Sequence, residues 1–304
     1  MTRNLSYLLG IIVTILIGMW LHFTFCSDCH LAIPPAEDTT EKAPIPVSEP
    51  DPTSFPIAVQ DGDFEVDEAS NFNFKLSAND FNLPVSAKVD TAVSQLKAHL
   101  LENPKKVLNI TGLYKGSEEN TTAWPNLGLA RANAIKNYLV GQGIPSSQTN
   151  TMGKLMDDMV PDTDVLLGPV AYAISETTQE SEDVLEALYD EIKANPLVLY
   201  FKTGEAAISL TPEQRQKVAN IAKYLDKVEG ATCAVVGHTD SVGSRSTNVR
   251  LGQERADFAK SYLSKNGILA ERIVTSSQGP DAPIAPNTTE EGRAKNRRTV
   301  VTLK

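Results

Sequence analysis

Apolar residues recur along this chain with the spacing of helix faces, separated by short unbroken apolar runs. From Val85 they fall at Val89, Val93, Leu96 and Leu100, one face of a helix, and Val107–Gly112 then reads as a buried strand. Leu197–Phe201 predicts another strand. Thr211 and Pro212 supply an N-cap and a first turn for a helix whose stripe is Val218, Ile221, Ala222 and Leu225. Ala231–Gly237 predicts the next strand, and Asn248–Asn266 a helix closed by Gly267. Arg272–Ser277 and Thr299–Leu303 complete a β-α-β-α-β-β order.

The same cadence occurs twice. Phe72–Leu76 matches Leu199–Thr203 in place. Leu127-Gly128-Leu129-Ala130-Arg131-Ala132, with Tyr138-Leu139 and Gly143-Ile144, parallels Leu251-Gly252-Gln253-Glu254-Arg255-Ala256, with Tyr262-Leu263 and Gly267-Ile268. The period is too long for a solenoid, so two related α+β domains in tandem are expected. They are placed at 70–175 and 197–304, with an acidic connector at 176–196.

A different pattern precedes them. Leu5–Phe25 contains no Asp, Glu, Lys or Arg, and at 1.5 Å per residue its 21 residues span roughly 30 Å. It ends in Trp20, His22, Phe23 and Phe25, an interfacial belt, and Arg3 favours a cytoplasmic start. Residues 1–30 therefore predict an uncleaved transmembrane anchor with the remainder outside; cleavage, or lipidation at Cys26, is the rival. Residues 31–69 carry Pro34, Pro35, Pro44, Pro46, Pro50, Pro52 and Pro56 among acids. They predict an unfolded, extended linker reaching roughly 120 Å. Cys26-Ser27-Asp28-Cys29-His30 has the spacing of covalent haem attachment, but the polar, proline-rich segment after it offers no apolar pocket for a haem, so no cofactor is expected.

Charge narrows the function. A formal net charge of −10 opposes a broad nucleic-acid surface. No Gly-rich phosphate loop, HExxH pair or GxSxG elbow is present, and His238, Asp240 and Ser241 or Ser244 are too close in sequence to build a catalytic triad. No enzyme and no metal centre is expected.

The chemistry concentrates on Arg255. It shares a helical stripe with Leu251, Phe258, Ala259 and Tyr262, where a guanidinium needs a carboxylate. The loop Gly237-His238-Thr239-Asp240-Ser241-Val242-Gly243 offers Asp240. The residues alone allow either a structural bridge or a ligand site.

That loop, with Asn248, Leu251, Arg255-Ala256, Tyr262-Leu263, Gly267-Ile268, Arg272-Ile273, Pro283-Ile284, Asn287 and Gly292-Arg293-Ala294-Lys295-Asn296-Arg297-Arg298-Thr299-Val300, resembles the OmpA-like domain over about 197–304. That family includes outer-membrane OmpA proteins, Pal lipoproteins and flagellar stator proteins. The resemblance implies non-covalent binding of peptidoglycan. Asp240 would meet the amine of the diaminopimelate in its stem peptide, and Arg255 the carboxylate, which an arginine can take bidentately. It also implies pocket roles for Thr203, Gly204, Thr239, Asn248 and Leu251, and for Arg297 at a second carboxylate. Lys202 departs from the family, which commonly has Asp there, and the anchor lacks the intramembrane acid of an ion-driven stator.

The first copy departs further, with Lys115 aligned to Asp240 and no closing Asn-Arg-Arg. It is expected to be a degenerate sibling, acting as a spacer or a platform for envelope proteins, with residual anion binding at Arg131 as a lesser alternative. The expected location is the cell membrane, single-pass, with both domains in the periplasm; the outer membrane is the alternative. A structural module of an envelope complex without wall binding is the competing function.

Overall fold

Sheet formation here follows from two central strands whose neighbours are fixed by helix crossovers. The computed structural model describes residues 12–21, 51–177, 180–200 and 208–304. The chain divides into Met1–Glu49 and Pro50–Lys304.

In the first unit, residues 12–21 form helix α1, with Ile12, Val13, Ile15, Leu16, Ile17, Met19, Trp20 and Leu21 all exposed. The rest of the expected Leu5–Phe25 span lies outside the described residues, as do Cys26 and Cys29. Among the described residues no helix is long and apolar enough to cross a membrane.

The second unit opens with a hairpin, β1 (Ile57–Asp61) and β2 (Phe64–Glu68). These residues lie inside the stretch expected to be an unfolded linker, and that expectation is corrected. Ile57, Val59 and Val66 alternate with exposed residues across a two-residue Gly62-Asp63 turn, with Gly62 at φ +62°, so one face can be buried despite the surrounding prolines. Asp61 ties the hairpin down through His99 Nε2 (2.9 Å) and Lys106 Nζ (3.0 Å).

Next come β3 (Phe74–Lys75), α2 (Ala87–Glu102), β4 (Lys106–Tyr114), α3 (Leu127–Gly141), β5 (Thr149–Leu155), β6 (Val165–Leu166) and β7 (Val170–Glu176). Ser86 caps α2, and Asn126 caps α3 by accepting from Leu129 N at 2.8 Å. β4 is central, parallel to β5 and antiparallel to β7. Phe72–Leu76, expected to join this sheet as its first strand, instead contributes β3, which pairs with β6 in a separate two-stranded ladder.

Helix α4 (Glu180–Ala194) follows, where an acidic connector was expected. It is amphipathic: Leu185, Leu188, Tyr189 and Ile192 pack into the second core while Asp183, Glu186, Asp190 and Glu191 are exposed. Then come β8 (Leu197–Tyr200), α5 (Pro212–Lys227), β9 (Cys233–His238), α6 (Arg245–Lys265), β10 (Ile273–Gly279), α7 (Glu290–Asn296) and β11 (Arg298–Leu303). The sheet order is β10-β9-β11-β8, with β9 parallel to β10 and antiparallel to β11. The core of this half is α+β in the predicted order. α6 begins at Arg245, three residues before expectation, because Ser244 Oγ accepts from Thr247 N at 3.2 Å.

The strand directions around β4 and β9 match, and so does one close contact. A Cβ at Gly112 would meet Gly128 O at 2.0 Å, and one at Gly237 would meet Gly252 O at 1.8 Å. In both halves the central strand crosses its helix backbone to backbone, which only glycine permits.

The two halves are joined. Trp124 is buried with Ala123 and Ala130 in the core built by α4, α5, α6 and β9. Its indole Nε1 donates to Asn266 O at 2.9 Å, and Asn137 Nδ2 donates to Gly267 O at 2.9 Å. Lys136 pairs with Asp226 at 2.6 Å, and Lys227 donates to Ser147 O (2.8 Å) and Thr149 O (2.6 Å).

Candidate functional site

Three elements converge where β9 ends. β9 delivers His238, Thr239 and Asp240 into the loop. β11 runs antiparallel beside it, with Thr299 opposite Gly237, so Arg297 at its start lies beside the Thr239–Asp240 corner. α6 crosses over β9 and places Arg255 above the same corner, where its Nη1 donates to His238 O at 3.3 Å.

Asp240 is the carboxylate of this cluster. Its Oδ2 accepts from Arg297 Nη1 at 3.0 Å and its Oδ1 from Val242 N at 3.0 Å. Both side chains of the ion pair keep 14% of their surface exposed. The sequence reading joined Asp240 to Arg255 directly; in the structure the ion-pair partner is Arg297, with Arg255 alongside. The difference arises from the β9–β11 register, which sequence periodicity does not reveal.

Burial lowers Arg255 below the ordinary guanidinium range; the Asp240 charge opposes this and the Arg297 charge adds to it. Arg297 is instead held above its ordinary value, first by Glu290 and then by Asp240. Glu290 Oε1 accepts from Arg297 Nη2 at 2.7 Å, and its Oε2 from Arg293 Nη2 at 2.7 Å. Glu290, which sequence reasoning missed, is carried by α7. Thr289 before two acids is a helix-start signal that could have exposed that helix.

The loop is braced from several sides. Asn248 Nδ2 donates to Val242 O at 3.0 Å. Thr239 N donates to Gly279 O at 2.9 Å, and its buried hydroxyl donates to Asp240 O at 2.9 Å. Asn287 Oδ1 accepts from Ser241 N (3.2 Å) and from Asn296 Nδ2 (3.0 Å), linking this loop to the Asn-Arg-Arg segment. Leu251 is half-buried on α6. Thr203, Gly204 and Lys202 lie outside the described residues. His238 is buried, and desolvation, then the Arg298 charge, lowers its pKa to about 4. Ser244 is committed to capping α6. Among the described residues no cluster suited to a metal ion occurs.

At the matched place in the first half, Arg131 is fully buried. Glu118 pairs with it through both carboxylate oxygens, and the guanidinium also donates to Leu113 O (2.9 Å) and Ala78 O (3.0 Å). Lys115, aligned with Asp240, points its ammonium at the carbonyls of Asp157 and Met159. The counterpart cluster is closed by its own chain. This disfavours the residual anion binding expected of Arg131.

Comparison with known proteins finds a family match in the second half. Residues 200–297 match the model of the OmpA family. The probable lipoprotein YiaD of Escherichia coli is 40% identical over 98 residues, covering 32% of this chain and 45% of that protein. The Outer membrane protein A of Bordetella avium is 40% identical over 95 residues, 31% of this chain and 49% of its own length. The chain thus spans under half of each of these two relatives. It covers 70% of the peptidoglycan-associated lipoprotein of Buchnera aphidicola, at 31% identity over 124 residues, 41% of this chain. Among solved structures, the peptidoglycan-associated lipoprotein of Burkholderia pseudomallei aligns at 25% identity and a TM-score of 0.32, over 35% of this chain and 89% of its own. With its β9 loop, α6 arginine and Asn-Arg-Arg segment gathered at one corner, and a family member matched over more than two thirds of its length, this chain belongs to the OmpA family.

Proposed function

We propose that the chain holds an envelope membrane to the cell wall by non-covalent binding of peptidoglycan. The recognised group is the zwitterionic head of a diaminopimelate residue in the stem peptide. The carrying observation is the Asp240–Arg297 pair, part-exposed, with the Arg255 guanidinium beside it. The Asp240 carboxylate and two guanidinium groups at one corner match a ligand that presents an ammonium and a carboxylate together. On binding, the ligand ammonium takes the Asp240 oxygen now held by Arg297. Arg297 stays tethered through Glu290, and Arg255 receives the ligand carboxylate. Thr239, Asn248 and Leu251 shape the loop and wall, and Thr203 and Gly204 are proposed as further ligand contacts. The work is binding, not catalysis.

The first half is proposed to be a degenerate OmpA-like domain in tandem with the second, a platform for envelope proteins rather than a second wall binder. The supporting feature is the Glu118 carboxylate, which pairs with the fully buried Arg131 inside the chain. Helix α1, apolar on every side, is proposed as part of a single-pass anchor that leaves Pro50–Lys304 in the periplasm. A relative named as a peptidoglycan-associated lipoprotein supports an envelope location.

The test is competition. The Pro50–Lys304 unit, whose cores lie wholly within it, is bound to purified sacculi and challenged with soluble meso-diaminopimelate or with Nα-acetyl-lysine amide. Release by diaminopimelate and not by the lysine derivative, which has an ammonium but no carboxylate, is the expected outcome. Equal release by both would remove diaminopimelate as the recognised group.

A further inference from the structure

The first half carries a cleft that the wall-binding site does not use. Its volume is about 260 Å³, near the lower end of the roughly 300–1,000 Å³ typical of small-ligand sites. It lies between the chain flanking the β1–β2 hairpin, the start of α2 and the Leu167–Gly168 turn. No Asp, Glu, Lys or Arg lines it. Its floor is rigid: Asn71 Nδ2 donates to Val170 O (3.0 Å) and Gly168 O (3.3 Å), and its Oδ1 accepts from Phe72 N (2.8 Å) and Tyr172 OH (3.0 Å).

Around that floor the polar groups are unspent. Asn73 uses only its Oδ1, accepting from Gly168 N at 2.9 Å. The side chains of Asn82, Ser54 and Ser70 have no intramolecular hydrogen bond among the described residues, and the Ser86 hydroxyl accepts from Val89 N, leaving its proton for another acceptor. Phe55 and Pro84 add apolar surface between them.

An uncharged cleft gives no advantage to an ionic ligand. Amides and hydroxyls interleaved with apolar faces suit a neutral ligand with the same alternation, which is the chemistry of a sugar ring. The acetamido group of an N-acetylhexosamine adds a donor and an acceptor that match the Asn73 and Asn82 amides. We infer that this cleft binds a neutral N-acetylated oligosaccharide. That the sugar belongs to the glycan strand of the wall rests on the function proposed above; the chemistry of the cleft does not.

The probe is the N-acetylglucosamine trimer, titrated into the Pro50–Lys304 unit by calorimetry. Asn82→Ala and Ser70→Ala remove side chains that hold nothing else in place, so both variants should stay folded. Wild type should bind, each variant should weaken binding roughly three- to tenfold, and Asp240→Asn should leave it unchanged. Absence of binding to wild type overturns the inference, even if sacculi still bind. So does weakening by Asp240→Asn, or binding indifferent to both cleft variants.

Discussion

Arg131 and Arg255 occupy matched positions on α3 and α6, and Arg131 is sealed there by the Glu118 carboxylate. Glu118 is almost fully buried and held below the ordinary carboxylate range: burial raises it, but the Arg131 hydrogen bond and the backbone N–H groups of Lys115 and Ser77 outweigh that. Glu118→Ala should therefore cost about 3–5 kcal/mol, because it leaves a buried guanidinium uncompensated, and urea unfolding reads this as a shift in midpoint. A loss under 1 kcal/mol would mean that the pair is not a structural seal. His238 sets a pH dependence of its own. Its folded pKa of about 4 lies below the unfolded 6.5, so the unfolded chain binds the extra proton between those values. Stability should be full above pH 6.5 and fall by on the order of 3 kcal/mol towards pH 4. A His238→Phe variant whose midpoint keeps the same slope over that window would exclude this group as the cause. Glu118, whose folded pKa is depressed, adds an acid loss that begins below its unfolded value of 4.5.

Among the elements, the hairpin β1–β2 has the largest practical consequence. Ile57, Val59 and Val66 enter the first core, and at roughly 1.5–3 kcal/mol per buried aliphatic side chain their removal costs about 5 kcal/mol or more. A fragment beginning at residue 70 should unfold at a markedly lower urea concentration than one beginning at residue 50. Equal midpoints would show the hairpin to be dispensable. The hairpin also marks where the sequence misled. Its alternation on either side of Gly62-Asp63 is legible, but Pro50, Pro52 and Pro56 weighed against it. α4 was hidden in the same way, its Leu185-Leu188-Tyr189-Ile192 stripe masked by acidic neighbours. The helices α5 and α6 and the strands β9 to β11 were legible because capping, periodicity and closing glycines agree there. Asp240 and Arg255 were legible as a cluster. The Arg297 ion pair and Glu290 were not, since strand register and α7 bring them in.

At the scale of the molecule, Pro50–Lys304 is one body whose halves share Trp124. Burying an indole with its N–H on Asn266 O, beside the Lys136–Asp226 pair, makes independent motion costly. Trp124→Ala should cost about 3–5 kcal/mol and split one cooperative unfolding transition into two. A single unshifted transition in calorimetry would show the halves to be coupled elsewhere. The Asp240 corner is proposed to be what holds the wall. Its most direct measurement is co-sedimentation of Pro50–Lys304 with purified sacculi, comparing wild type with folded Asp240→Asn and Arg255→Ala. Each loss of a charged partner should cost about 2–5 kcal/mol, so wild type should pellet and both variants should remain in the supernatant. Wild type that stays in solution, or variants that pellet with it, would contradict the account.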